Sequence, residues 1–169
     1  MKRRDVLGLS LAAPVLLHAA PSGSLASYML PRWETSKKYT LAFLEKMPEE
    51  HYSFRPVPEI NMFAEQAAHI GEGNFLLASA VRGVPKPQHE RAGMTHSALI
   101  AFVASSFDYG TVTLSALTDA AAGESVTFFG QKILKRELCF RMLDHVAHHR
   151  GQLVIYLRLK GIAPPDYAG

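Results

Sequence analysis

The chain has 169 residues, 48% of them hydrophobic and 20% charged, with a net charge of +3 and a single cysteine. That length holds one domain with a real core, the composition excludes a disordered chain and a membrane-embedded body, and a lone thiol excludes an internal disulfide. The sequence pI of 9.1 does not make a nucleic-acid binder: without residues 1–26 the 18 basic and 15 acidic side chains become 15 and 14, and no basic stripe is left to neutralise phosphates.

Residues 1–26 read as an export signal. Lys2, Arg3 and Arg4 precede an apolar run from Val6 to Leu17, and small residues follow around Ala19, Ala20 and Ala26. The run is too short to span a bilayer as a stable helix, so no lasting membrane insertion is expected after the signal is removed. Arg3-Arg4-Asp5-Val6-Leu7 is similar to a twin-arginine motif, with general secretory export as the alternative. The only cysteine is Cys139, which excludes a lipoprotein. The folded domain is then residues 27–169, placed in the periplasm or outside the cell.

Four helices follow in that domain. The first is predicted from about Pro31, which suits a first-turn position, to Lys46, with Trp33, Tyr39, Leu41 and Leu44 as its apolar surface and Met47-Pro48 as its stop. A polar linker over 49–59 contains Pro56 and Pro58. The second helix starts near Ile60 or Asn61, carries Met62, Phe63, Ala67, Ile70, Leu76 and Leu77, and ends before Gly83-Val84-Pro85. A Pro/Gly/charged loop spans 83–94. Thr95 or Ser97 caps the third helix, which runs through Leu99, Phe102, Val103, Phe107, Val112 and Leu117 with Gly110 as an internal weak point. Residues 120–130 break the pattern, and Val126 to Phe129 form a short extended piece. The fourth helix is predicted from about Lys132 to Lys160, ending at Gly161.

The last helix holds the most informative stretch, Asp144-His145-Val146-Ala147-His148-His149-Arg150-Gly151-Gln152. Residues at i and i+4 share a helix face, so His145 and His149 can grip one metal ion, whereas His148 lies about 100° away and is not counted as a ligand. His69, in Ala67-Ala68-His69-Ile70, is the candidate third ligand from another helix. Three imidazoles leave a coordination position open, as in catalytic rather than structural zinc. One divalent ion is expected, zinc or nickel first, with iron or manganese as alternatives. Position 146 is Val, so the Glu of a His-Glu-x-x-His protease is missing. Gln152 can hold a ligand imidazole and Gly151 can allow close helix packing. Asp144 reads as a solvated residue, Glu65 and Glu72 as surface charges that can also serve as a base, and Cys139 as a buried small hydrophobe.

These residues also resemble a known family. His145-x-x-His148-His149-Arg150-Gly151-Gln152-Leu153, followed by Tyr156-Leu157-Arg158 and Gly161-Ile162-x-Pro164-Pro165, is similar to the DinB/YfiT-like metalloenzyme superfamily. Met47-Pro48-Glu49-Glu50, Tyr52-Ser53-Phe54-Arg55-Pro56 and Phe63 to Ile70 look like its first loop and second helix. The resemblance runs from about residue 30 to the end. It implies an all-α, up-down-down-up four-helix bundle, a metal held by His69, His145 and His149, and often a homodimer.

Members of that family include thiol-dependent transferases, an isomerase and metal-dependent hydrolases. Export argues against the transferase chemistry, because the thiol cofactors are cytosolic. The expectation is therefore a hydrolase-like enzyme using metal-activated water on a small-molecule substrate. The alternative is a non-catalytic module that binds metal or a small ligand under stress. A cavity beside the metal favours the enzyme; a closed site favours the module.

Overall fold

The computed structural model describes residues 23–88 and 95–167. The basic and apolar parts of the expected leader, with the twin-arginine motif, lie outside the described residues, as do 89–94 of the predicted loop. Helices dominate: α1 (Leu25–Lys46), α2 (Phe63–Arg82), α3 (His96–Ala116), a single turn α4 (Asp119–Ala122), and α5 (Lys135–Leu159), with a hairpin of β1 (Ser125–Phe128) and β2 (Gln131–Leu134) before α5.

Contacts between side chains fix the direction of each helix. Along α1 and α3 the partners run in opposite order: Leu25 N donates to Asp119 Oδ1 beyond α3, Thr111 Oγ1 donates to Glu34 Oε1, and Lys37 pairs with Asp108. Along α2 and α3 they run together, with Gly71 against Phe102, Asn74 bonded to Ser106 and Ser79 bonded to Tyr109. The α2–α5 order is reversed again, Phe63 facing Tyr156 while His69 faces His145. Between α1 and α5 it is parallel, Tyr28 meeting Phe140 and Ser36 meeting Arg150. The result is the expected up-down-down-up four-helix bundle, with α1, α3, α2 and α5 as successive neighbours around the ring. Consecutive helices α1 and α2 stand diagonally.

The helix limits follow local chemistry, and three differ from the predicted ones. α1 begins at Leu25 rather than near Pro31, because Ser24 caps it by accepting from Ser27 N at 3.2 Å and Met29 is fully buried, so an extra turn gains an apolar anchor. Pro31 is thus an interior proline. It forgoes the bond an N–H would make to the Ser27 carbonyl. α2 begins at Phe63, two or three residues later than predicted, where the Glu65 carboxylate reaches back 2.8 Å to Met62 N.

The third correction is the start of α5. Residues 131–134 are a strand, paired antiparallel with 125–128 in the register Val126↔Ile133, which buries Ile133 and delays the helix to Lys135. Of the two expected caps, Thr95 rather than Ser97 closes α3, accepting from Ala98 N at 3.3 Å. Gly110 is no weak point: a Cβ there would stand 2.5 Å from Trp33 Cζ2, so the bare backbone lets the indole seat between α1 and α3. α3 is long and apolar enough to cross a bilayer by length and composition, but its buried residues pack within the bundle.

Candidate metal centre

The α2–α5 seam brings His69, His145 and His149 together. One ligand-capable nitrogen from each lies within 4.8 Å of the other two. The ring centroids are 5.1 Å apart for His69 and His145, and 4.4 Å for each pair that includes His149. His145 Nε2 and His69 Nε2 face each other at 3.4 Å. Two nitrogens bound to one tetrahedral ion at about 2.0–2.1 Å stand about 3.3–3.4 Å apart, so this pair already has the spacing of a chelate.

Burial tunes these rings toward the neutral, lone-pair-bearing form. Desolvation first, and then the neighbouring His149, His69 and His148, push His145 from 6.5 down to about 4. His149 is lowered too, by desolvation and by His69, with an opposing contribution from its hydrogen bond to Gln152. At neutral pH both rings are ready donors. The chemistry of the set, nitrogen ligands without charge, fits a divalent ion that keeps its Lewis acidity.

Each ring is oriented differently. His149 Nδ1 is 2.6 Å from the Gln66 carboxamide nitrogen and 3.3 Å from Gln152 Oε1, and the two glutamines meet each other, which leaves Nε2 for the cluster. Ligation through Nε2 makes Nδ1–H a donor, so a carboxamide oxygen must accept it, and Gln152 Oε1 is placed to do so. Gln66 was not anticipated, although it precedes His69 by three positions and shares its face.

His145 is seated by shape instead. Its Nδ1 is buried with no hydrogen-bond partner among the described residues, while a Cβ on Gly73 would stand 2.0 Å from its Cε1. The missing side chain at position 73 is the space the imidazole fills. Gly73 lies four positions after His69 and was also not anticipated.

The remaining candidates sort cleanly. His148 is exposed, meets Gln152 Nε2 at 3.1 Å and sets its ring edge-on to His149 with centroids 4.8 Å apart, outside the converging set of three nitrogens. Asp144 is solvated as expected, and Cys139 is fully buried, its thiol pushed up to about 11 by desolvation. Gly151 does not mediate close packing: it is exposed, and a Cβ there would meet nothing within 4 Å. Glu65 is engaged by the α2 cap and by Arg55 at 3.4 Å. Glu72 instead lines a cavity of about 400 Å³ together with His69 and His145. A second cavity of about 440 Å³ borders His149, Gln66 and Gln152.

Comparison with known proteins agrees with this architecture. The sequence profile of the DinB superfamily matches residues 32–153. The uncharacterized protein YjoA of Bacillus subtilis (strain 168) is 26% identical over 145 residues, 83% of this chain and 91% of its own. A DinB-like protein from Bacillus cereus ATCC 10987 superposes with a TM-score of 0.75 at 19% identity, over 84% of this chain and 97% of that one. The crystal structure of YjoA gives 0.72 at 21% identity, over 83% and 96%. These two structural likenesses bear on the fold.

Proposed function

The chain belongs to the DinB superfamily, and from that premise we propose that it binds one divalent metal ion through His69, His145 and His149 and acts as a hydrolase-type enzyme on a small molecule. The observation that carries this reading is the convergence of three imidazole nitrogens from two helices within 4.8 Å. Zinc or nickel suits the donor set best, and iron or manganese is also compatible. Such an ion, when bound, supplies Lewis acidity and makes water nucleophilic near neutral pH.

The protein's own residues do the rest. Gly73 gives His145 its seat, Gln66 and Gln152 hold His149, and Leu76 and Leu77 give the adjoining cavity an apolar wall. Glu72 follows His69 by three positions and lines the same cavity, so it is the carboxylate placed to take a proton during attack. The adjoining cavity favours an enzyme over a closed metal store, because structural zinc sites are coordinatively shut. The proposal includes export of the domain by its leader and pairing into a homodimer.

Elemental analysis of the purified protein and of His69→Ala, His145→Ala and His149→Ala tests the metal reading. One equivalent of metal in the parent, lost in each variant, is expected; unchanged occupancy in any variant removes that residue. Turnover of a panel of esters and amides, suppressed by Glu72→Gln by roughly 10²–10⁴-fold with metal retained, tests the hydrolase assignment.

A further inference from the structure

We propose that the cavity beside His69 and His145 is a subsite for a small organic anion with an apolar body, anchored by Arg141 and covered by Phe129. The assignment rests on the metal-dependent reading above for its purpose, and on separate residues for its content.

The walls define the ligand. Leu76 and Leu77 from α2 and Phe128 and Phe129 from the hairpin give the cavity an apolar lining, and its volume of about 400 Å³ accommodates a small molecule. Its charged members are Arg141 and Lys86 against the single carboxylate of Glu72. These side chains alone leave one net positive charge facing the cavity, to which a divalent ion at the histidine end would add. An anion is favoured there and a cation disfavoured.

The position of Arg141 adds geometry to the charge. It precedes His145 by four residues on α5, so guanidinium and imidazole project from one face, one turn apart. A ligand whose carboxylate meets the Arg141 fork has its other end directed along α5 toward the triad. Arginine presents a planar pair of donors matched to a carboxylate.

Phe129 supplies an independent observation. Its φ is +47°, the only positive value at a non-glycine position among the described residues, and Gly130 beside it has φ +77°. A two-residue hairpin turn with both φ values positive normally takes Asn-Gly, so a bulky aromatic there is held in a costly conformation. The phenyl gains little from the core in return, being 81% exposed. It nonetheless lines the cavity. Strain kept at an exposed aromatic beside a cavity is what a ligand-covering residue shows.

The test uses two probes of equal shape, 4-phenylbutyrate and its neutral amide, titrated into the metal-free and zinc-loaded protein by NMR. The carboxylate is expected to shift the amide signals of Leu76, Phe129 and Arg141 and to bind at least about tenfold tighter than the amide. Arg141→Gln lowers carboxylate affinity to the level of the amide and leaves the amide unaffected, whereas Phe129→Ala weakens both probes. Equal binding of the two probes, an Arg141→Gln effect of the same size on both, or shifts confined to other regions overturns the subsite. Zinc content of the same samples is measured separately. Absence of bound zinc in the parent protein sinks the metal reading, while carboxylate selectivity that still depends on Arg141 in those samples leaves the subsite standing.

Discussion

At the scale of the residue, Gly73 illustrates a site determined by what is missing. Gly73→Ala places a methyl carbon where the His145 imidazole sits, so zinc affinity is expected to fall at least about tenfold, read by competition against a chromophoric chelator. Overpacking adds a loss of roughly 1–3 kcal/mol of stability, read by urea denaturation. The buried neutral rings predict a pH dependence for the metal-free protein. His145 in the native state takes up a proton only near pH 4, whereas in the unfolded chain it does so near 6.5. The unfolded chain therefore binds more protons between those values. Its contribution to stability is complete above pH 6.5 and is lost as the pH falls toward 4, and the lowered His149 acts in the same direction. Urea midpoints measured at intervals from pH 7 to 4 in the presence of a chelator are expected to fall, and less steeply for His145→Gln. The three histidines were legible from spacing and family resemblance. Gly73 and Gln66 were not, because a helical glycine and a helical glutamine acquire their roles only from what α5 places opposite them.

At the scale of the element, periodicity revealed the long helices and failed where a local exception ruled. Pro31 looked like a helix start, yet the Ser24 cap and the buried Met29 extend α1 by a turn and more beyond it. Gln131-Lys132-Ile133-Leu134 could be read into the following helix because a four-residue strand is too short for its alternation to stand out. Only the turn at Phe129-Gly130, which folds it back on β1, decides its state. Replacing Phe129 with Asn gives that turn its preferred residue, and a gain of about 1 kcal/mol is expected by urea denaturation, with any loss confined to ligand binding. Gly110→Ala should do the opposite at the α1–α3 seam. A methyl group 2.5 Å from Trp33 Cζ2 displaces the indole and its bond to the Phe107 carbonyl, a cost of roughly 1–3 kcal/mol with reduced protection of the Trp33 emission.

At the scale of the whole molecule, the ring order of the helices decides where chemistry can be placed. The fold class followed from four amphipathic helices and the resemblance, but the side-by-side packing of α2 and α5 that unites the histidines required the tertiary structure. Because the ion would bridge those two helices, it should bind the native state far better than the unfolded chain. Zinc free at a hundred times its dissociation constant is expected to add about 2.7 kcal/mol, seen as a higher melting temperature that a chelator reverses. The seam also sets a timetable. His69 and His145 are separated by 76 positions, and α5 is the last of the described helices. At synthesis rates of about 5–20 residues per second, a nascent chain carries His69 for roughly 4–15 s before the His145 codon is read. Throughout that interval the proposed site has one of its three imidazoles and no chelate. On the proposed reading, metal acquisition would thereby be deferred until translation of α5, and a chain interrupted before it would leave the ribosome without the means to hold the ion.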